Sequence, residues 1–519
     1  MSQEDSGTSA QTPEQENCKS CYVNDHWTLE VEQLGYQPLV DALKEKLDDC
    51  DSPYSFAVCG GWGSGKTSVL RYLMAACGGQ YLRLDPADKL YEEEGEDSEL
   101  TKTVKKKWEE IGKKGKSSLK FYACIWFNPW QHQFEETPLI ALLNEMYSQF
   151  SSWAKTKQGA QQGLKMSLHF FDQLIASLTG LVAKKGFSFR GLLDAGKKAA
   201  HSHDEQCYAV QLDSQRFPLH FQQAVRTLAE KATGESKARL IIFIDDMDRI
   251  QPEQAYQLLE SIKLLLHTPR CIFVFGIDYH RLVQRLARLE IFETSETYAR
   301  EYLEKMFQSL VYLPQPKDED FENFIGKQLE ATGLRSKLAK TAPGLIPQDD
   351  DTGSEPEPIA LQKFLSHILE KNPRKAKNFL NALKAKVEHL KFDKAKDSTK
   401  QLILVHFIRM IYPQVYAVLE TDPTALLHLW LYLSGESPDV GNAPYFRFFD
   451  EVAGNELLPC KPVDQEVELS EEQAYKQLLN MKYNTTAFLS KDRFRQHFVG
   501  LYNNEDRDKS KMTELKRFF

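Results

Sequence analysis

The chain of 519 residues has no stretch of about 20 apolar residues, so no helix long enough to cross a hydrocarbon core is expected. Its most apolar run, Leu174–Ala183, reaches about half that length and is closed by Lys184 and Lys185, as in a packed or surface helix. The first residues, Met1 to about Asn17, are polar and acidic and lack a basic segment followed by an apolar one, so no secretory leader is expected there. Any excess of positive charge is also missing. With 65 Lys and Arg against 74 Asp and Glu, the net charge of −9 argues against a tight, sequence-independent grip on a phosphate backbone. The nine cysteines are odd in number and scattered, which fits reduced thiols in a cytosol better than a disulfide framework. Cys18 and Cys21 form a Cys-x-x-Cys pair without two further ligands at comparable spacing, so a structural zinc site is not expected. The 13 histidines offer no H-x-x-x-H pair and no catalytic pairing. These absences leave a globular, cytoplasmic protein, with any membrane association peripheral or borne by a partner.

Apolar and polar residues then organise the chain. Leu34, Leu39, Leu43 and Leu47 recur at helical spacing before a short apolar strand at Tyr54–Cys59. Val69, Leu70, Leu73 and Ala76 line a second helix that Gly78 and Gly79 stop. From Tyr91 to Lys120 an acidic run gives way to a basic one without evident apolar periodicity, which predicts a solvated insertion. Strands are predicted at Phe121–Phe127, Leu240–Ile244 and Cys271–Phe275, and helices at Pro138–Phe150, Phe221–Lys231 and around Leu258, Ile262 and Leu265. Strands alternating with helices imply a parallel sheet covered on both faces. The segment Phe121–Phe127 is expected to neighbour the first strand. Beyond Tyr312 the pattern is helical, interrupted by an acidic Pro/Gly linker at Pro343–Pro358. The predicted domains are a disordered tail at 1–25, a core at 26–315 with insertions near 85–120 and 151–215, a helical lid or sensor region at 316–395, and a helical C-terminal domain at 396–519.

The chemistry lies in Gly60-Gly61-Trp62-Gly63-Ser64-Gly65-Lys66-Thr67, with Ser68 just beyond, set between a strand and a helix. Glycines let backbone N–H groups wrap a triphosphate, and the helix N-terminus adds partial positive charge. Lys66 is suited to neutralise the β and γ phosphates, and the Thr67 hydroxyl to ligate Mg²⁺. A P-loop alone does not decide the fate of the phosphate. The strand Leu240–Ile244, ending in Asp245 and Asp246, supplies a second half: Asp245 for the magnesium shell and Asp246 to orient or deprotonate an attacking water. Glutamate fills the latter role more often, so a shorter aspartate leaves room for a scaffold that binds nucleotide and hydrolyses little. No Asn-Lys-x-Asp guanine-reading motif occurs, which points to ATP.

The stretch Leu34-Gly35-Tyr36, the loop Gly60–Thr67 with Trp62, Trp126-Phe127-Asn128-Pro129-Trp130, and Asp245-Asp246-Met247-Asp248-Arg249 followed by Pro252 together resemble the KAP family of P-loop NTPases. Leu258–Ile262, Phe273–Asp278 and Tyr302–Lys305 continue the similarity, which runs over about residues 30 to 390. The resemblance implies an α/β, three-layer P-loop core of the additional-strand type with a helical C-terminal region. It also implies that ATP is used to switch or assemble a protein complex, in signalling or in antiviral defence. The partner is not named by the sequence, and a homo-oligomer is compatible with it. A DNA-associated ATPase is a second alternative, disfavoured by the charge. Asn372–Lys377 resembles the family's sensor-like motif, with Arg374 a candidate for the γ-phosphate and Arg249 a second arginine candidate. Asn128 is a candidate to place a water and Asp278 to act as a polar sensor.

Overall fold

The computed structural model describes residues 22–23, 26–79, 99–115, 122–133, 137–156, 221–341 except 231, 232 and 234, and 371–389, with scattered positions from 362 to 449. The expectations placed on Cys18 and Cys21, on Leu174–Ala183 and on Pro343–Pro358 lie outside these residues. Two compact units are present, one drawn from His26–Lys317 and the other from Met1–Asp25 with Asp318–Phe519. Among the described residues, no helix is long and apolar enough to cross a membrane.

The first unit is built on five parallel strands: β1 (Tyr54–Cys59), β2 (Tyr122–Phe127), β3 (Arg239–Asp245), β4 (Cys271–Ile277) and β5 (Ser309–Tyr312). Their spatial order is β2-β3-β4-β1-β5. The inner strands β3 and β4 read as near-continuous apolar runs, Leu240 to Ile244 and Cys271 to Phe275, because both of their faces are covered. Alternate residues go to opposite layers. Ala57, Cys59, Ile242, Ile244, Phe273 and Phe275 join a core with α4 (Pro138–Thr156), helical residues 221–229 and α5 (Pro252–Leu265). On the other face α2 (Lys66–Ala76) packs on β3 and β4 and is flanked by α1 (Gln37–Asp49). The result is three layers around one sheet.

Two expectations need correction. The strand Tyr122–Phe127 does not neighbour β1; among the described residues it lies at the sheet edge and pairs only with β3, because β4 stands between β1 and β3. Its free edge is shielded by a side chain: Gln149 of α4 accepts from the Trp126 N–H and donates to the Trp126 carbonyl, standing in for a further strand. The second correction concerns the region read as having no core element. It contains α3 (Glu99–Gly115), which packs on α2 and buries Trp108 and Ile111. Val104, Trp108 and Ile111 recur at i, i+4 and i+7, a stripe narrow enough to be hidden among lysines. Trp108 fixes the helix by donating its indole N–H to the Gly79 carbonyl at 2.8 Å.

The described residues of the second unit form helices: α8 (Asp318–Ala331), α9 (Leu334–Thr341), α10 (Pro373–His389) and α11 (Pro413–Thr421), following α6 (Tyr279–Leu286) and α7 (Glu296–Glu304) of the first. The start of α10 is capped. Asn372 Oδ1 accepts from the backbone N–H groups of Arg374 and Lys375, each at 3.1 Å, with Pro373 at the first helical position.

Candidate functional site

The phosphate loop joins β1 to α2 at the carboxyl ends of the strands, where the chain leaves β1 for the far edge of the sheet and later returns to its other side as β5. Such a switch point opens a crevice for a ligand. The Gly60 N–H donates to the Ile277 carbonyl and so levels the loop with the end of β4. Gly63 and Gly65 adopt φ of 79° and 99°, which residues with a Cβ rarely do. Tyr36 braces the loop from outside, donating its hydroxyl to the Ser64 carbonyl at 3.0 Å, and its ring would lie 3.4 Å from a Cβ at residue 65. Lys66 is buried, and its ammonium donates to the Gly60 and Gly61 carbonyls at 2.9 and 3.1 Å. Ser68 Oγ accepts from the Thr28 N–H, holding the preceding segment against α2.

Asp245 ends β3 beside this loop. The Thr67 hydroxyl donates to its Oδ2 at 2.6 Å, while its Oδ1 is buried without a hydrogen-bond partner. Burial, followed by the charge of Asp246, pushes the Asp245 carboxyl up to about 7; Thr67, Lys66 and Arg71 act in the opposite direction. A buried, half-satisfied carboxylate next to a hydroxyl is the donor set of a hard divalent cation that keeps water and phosphate oxygens as its other ligands. Among the described residues, no group of three or more His, Cys, Asp or Glu forms an all-protein cage. The residues therefore fit a magnesium ion held jointly with nucleotide.

Asp246 leaves the strand in the left-handed region, with φ 61°. Asn128, at the end of β2, donates to its Oδ2 at 3.2 Å, and Arg249 contacts its Oδ1 at 2.7 Å. Burial raises the Asp246 carboxyl, with Arg249 as the main opposing influence. Of the sequence candidates, Gly60–Ser68, Lys66, Thr67, Asp245, Asp246 and Asn128 thus share one crevice. Trp62 projects from the loop, 57% exposed, between the guanidinium groups of Arg249 and Arg281 at 5.9 and 5.4 Å from its ring. Asp278 caps α6 by accepting from the Arg281 N–H. Arg374 belongs to the second unit, at the start of α10. Trp126 is buried with the Arg71 guanidinium 3.9 Å from its ring, a packing role, whereas Trp130 is exposed.

One contributor escaped sequence reading. Gly276 pairs with Asp245 across the β3–β4 ladder, and a Cβ on it would stand 2.5 Å from both Asp245 Oδ1 and Leu70 Cδ1. The glycine inside an otherwise bulky strand was the available signal. Gly276→Ala is expected to displace the Asp245 carboxylate and cost about 1–3 kcal/mol from overpacking. Thermal unfolding and Mg²⁺-dependent ATP binding, measured together, check this; unchanged magnesium dependence would show that the carboxylate stays in place.

A glycine loop between β1 and α2, a threonine bonded to the last aspartate of β3, and a strand inserted between β1 and β3 define a P-loop NTPase of the additional-strand class. The chain matches the KAP family P-loop domain over residues 36–389 and belongs to that family. It is a nucleotide-binding P-loop protein by that membership. No curated protein matches it. Among solved structures it is similar to the ORC1 protein of Aeropyrum pernix in complex with DNA, at 13% identity over 88% of this chain and 84% of that one. The TM-score of 0.30 is too low to carry an argument.

Proposed function

We propose that the protein binds ATP with Mg²⁺, hydrolyses it to ADP and phosphate, and uses the change to switch or assemble a protein complex. The observation that carries this reading is the Thr67–Asp245 contact with the second Asp245 oxygen buried and unpartnered. Thr67 and Asp245 would hold the magnesium, which would supply Lewis acidity toward phosphate oxygens. Lys66 then turns its ammonium from loop carbonyls to phosphate oxygens. Asp246, held by Asn128 and Arg249, accepts a proton from the attacking water as the bond from the γ-phosphorus to the bridging oxygen breaks.

In this reading Arg374 takes part in turnover as the family's sensor-like motif implies. Arg374→Ala is expected to slow turnover by more than tenfold and to remove any difference in protease cleavage at Pro343–Pro358 between ATP and ADP. Turnover and cleavage unchanged within about a factor of two would make Arg374 a surface ion-pair residue. Membership in a signalling or defence complex is tested separately, by identifying what co-purifies with Asp246→Asn loaded with ATP.

A further inference from the structure

Asp246 occupies a backbone conformation that non-glycine residues seldom adopt, with φ 61° and ψ 24°. Such a residue persists where its surroundings fix it. Here the fixing groups come from three elements. The turn Met247–Arg249 closes through the Arg249 N–H donating to the Asp246 carbonyl at 3.1 Å. Arg285 of α6 donates to the carbonyls of Asp248 and Ile250 at 2.7 and 2.6 Å, tying that turn to the helix after β4. The carboxylate itself is gripped on one oxygen by Asn128 and on the other by Arg249. The side chain of Arg249 is only 31% exposed, and its guanidinium stands 5.9 Å from the ring of Trp62 in the phosphate loop.

We propose that Arg249 is a positioning residue for hydrolysis, aiming the Asp246 carboxylate at the attacking water while Trp62 sets the place of the guanidinium. This rests on the ATPase reading above. An aspartate is one methylene shorter than the glutamate usual at this position, so a small rotation carries its oxygens out of reach of a water on the γ-phosphate. A charge-assisted contact at 2.7 Å on one oxygen, opposed by an amide on the other, removes that rotation. The role differs from that of an arginine on the phosphate: Arg249 acts through Asp246, so its removal affects the chemical step and leaves nucleotide binding alone. Trp62 contributes in the same sense, because a guanidinium flanked by an indole has fewer places to go.

The test is a double-mutant cycle on Arg249 and Asp246, with equilibrium ATP affinity and thermal unfolding measured on every variant. Arg249→Ala is expected to lower kcat on the order of tenfold with KM and ATP affinity within about a factor of two, the size of one lost charge-assisted contact. Arg249→Lys, which keeps the charge, is expected to recover part of that loss, and Trp62→Ala to show a smaller fall in kcat. Once Asp246 is Asn, adding Arg249→Ala should cost nothing further. Equal losses in both backgrounds, or a fall in ATP affinity with kcat retained, would overturn the proposal and place Arg249 on the nucleotide. If Arg249→Ala unfolds at a lower temperature, Arg249→Lys decides: a folded lysine variant whose kcat shows no recovery over Arg249→Ala, or whose ATP affinity falls while kcat is retained, also overturns it. Absence of turnover in the unmutated chain would remove the ATPase reading and this role together, whereas turnover that Arg249→Ala retains would remove this role alone.

Discussion

Lys66→Ala should lose ATP affinity by about a hundredfold or more, roughly 3 kcal/mol at 1.4 kcal/mol per tenfold. The lysine is the one cation placed within the loop among the described residues, and two glycine carbonyls orient its ammonium across the loop. The backbone N–H groups and the start of α2 still favour an anion, so binding should weaken without vanishing. The buried position adds a second consequence: the lysine is only 9% exposed, so its truncation leaves space beside the Gly60 and Gly61 carbonyls, and ADP binding should suffer too. Titration calorimetry with ATP and ADP checks both expectations. Unchanged affinity would show that the loop does not cradle phosphate.

The second large effect is expected from Asp246→Asn, which should keep ATP affinity within a few-fold and reduce hydrolysis by roughly a hundredfold or more. Asparagine preserves the side-chain shape and the Asn128 contact partner while removing the negative charge that accepts the proton and pairs with Arg249. Stopped-flow binding with single-turnover hydrolysis separates the two constants. A variant that hydrolyses at the unmutated rate would leave Asp246 without a part in the chemical step and favour the alternative of a nucleotide-binding scaffold.

Much of the candidate site was legible because its signals are local. The loop Gly60–Thr67 and the carboxylates closing Leu240–Ile244 announce themselves by spacing and by the strands that carry them, and the structure brings Thr67 and Asp245 to 2.6 Å. Strand order was less legible, since it depends on which strands are covered on both sides. The placement of Tyr122–Phe127 beside the first strand failed because an edge strand with a side-chain cap reads much like an inner one. Helix α3 was hidden by lysines around three apolar positions. Gly276 and the Asp246–Arg249 contact depend on register across the sheet and on one left-handed residue, neither of which has a pattern in the chain. Arg374, in the second unit, stands at a capped helix start, as its Asn-Pro-Arg context signals.

The central claim is that this crevice hydrolyses ATP with magnesium. Its most direct measurement is phosphate release from ATP by the purified full chain, with Mg²⁺ and with EDTA, run beside Asp246→Asn from the same purification. Release is expected in magnesium from the unmutated chain, at least a hundredfold above the variant, and none above background in EDTA. Equal release from both proteins, or release that EDTA does not affect, would contradict it.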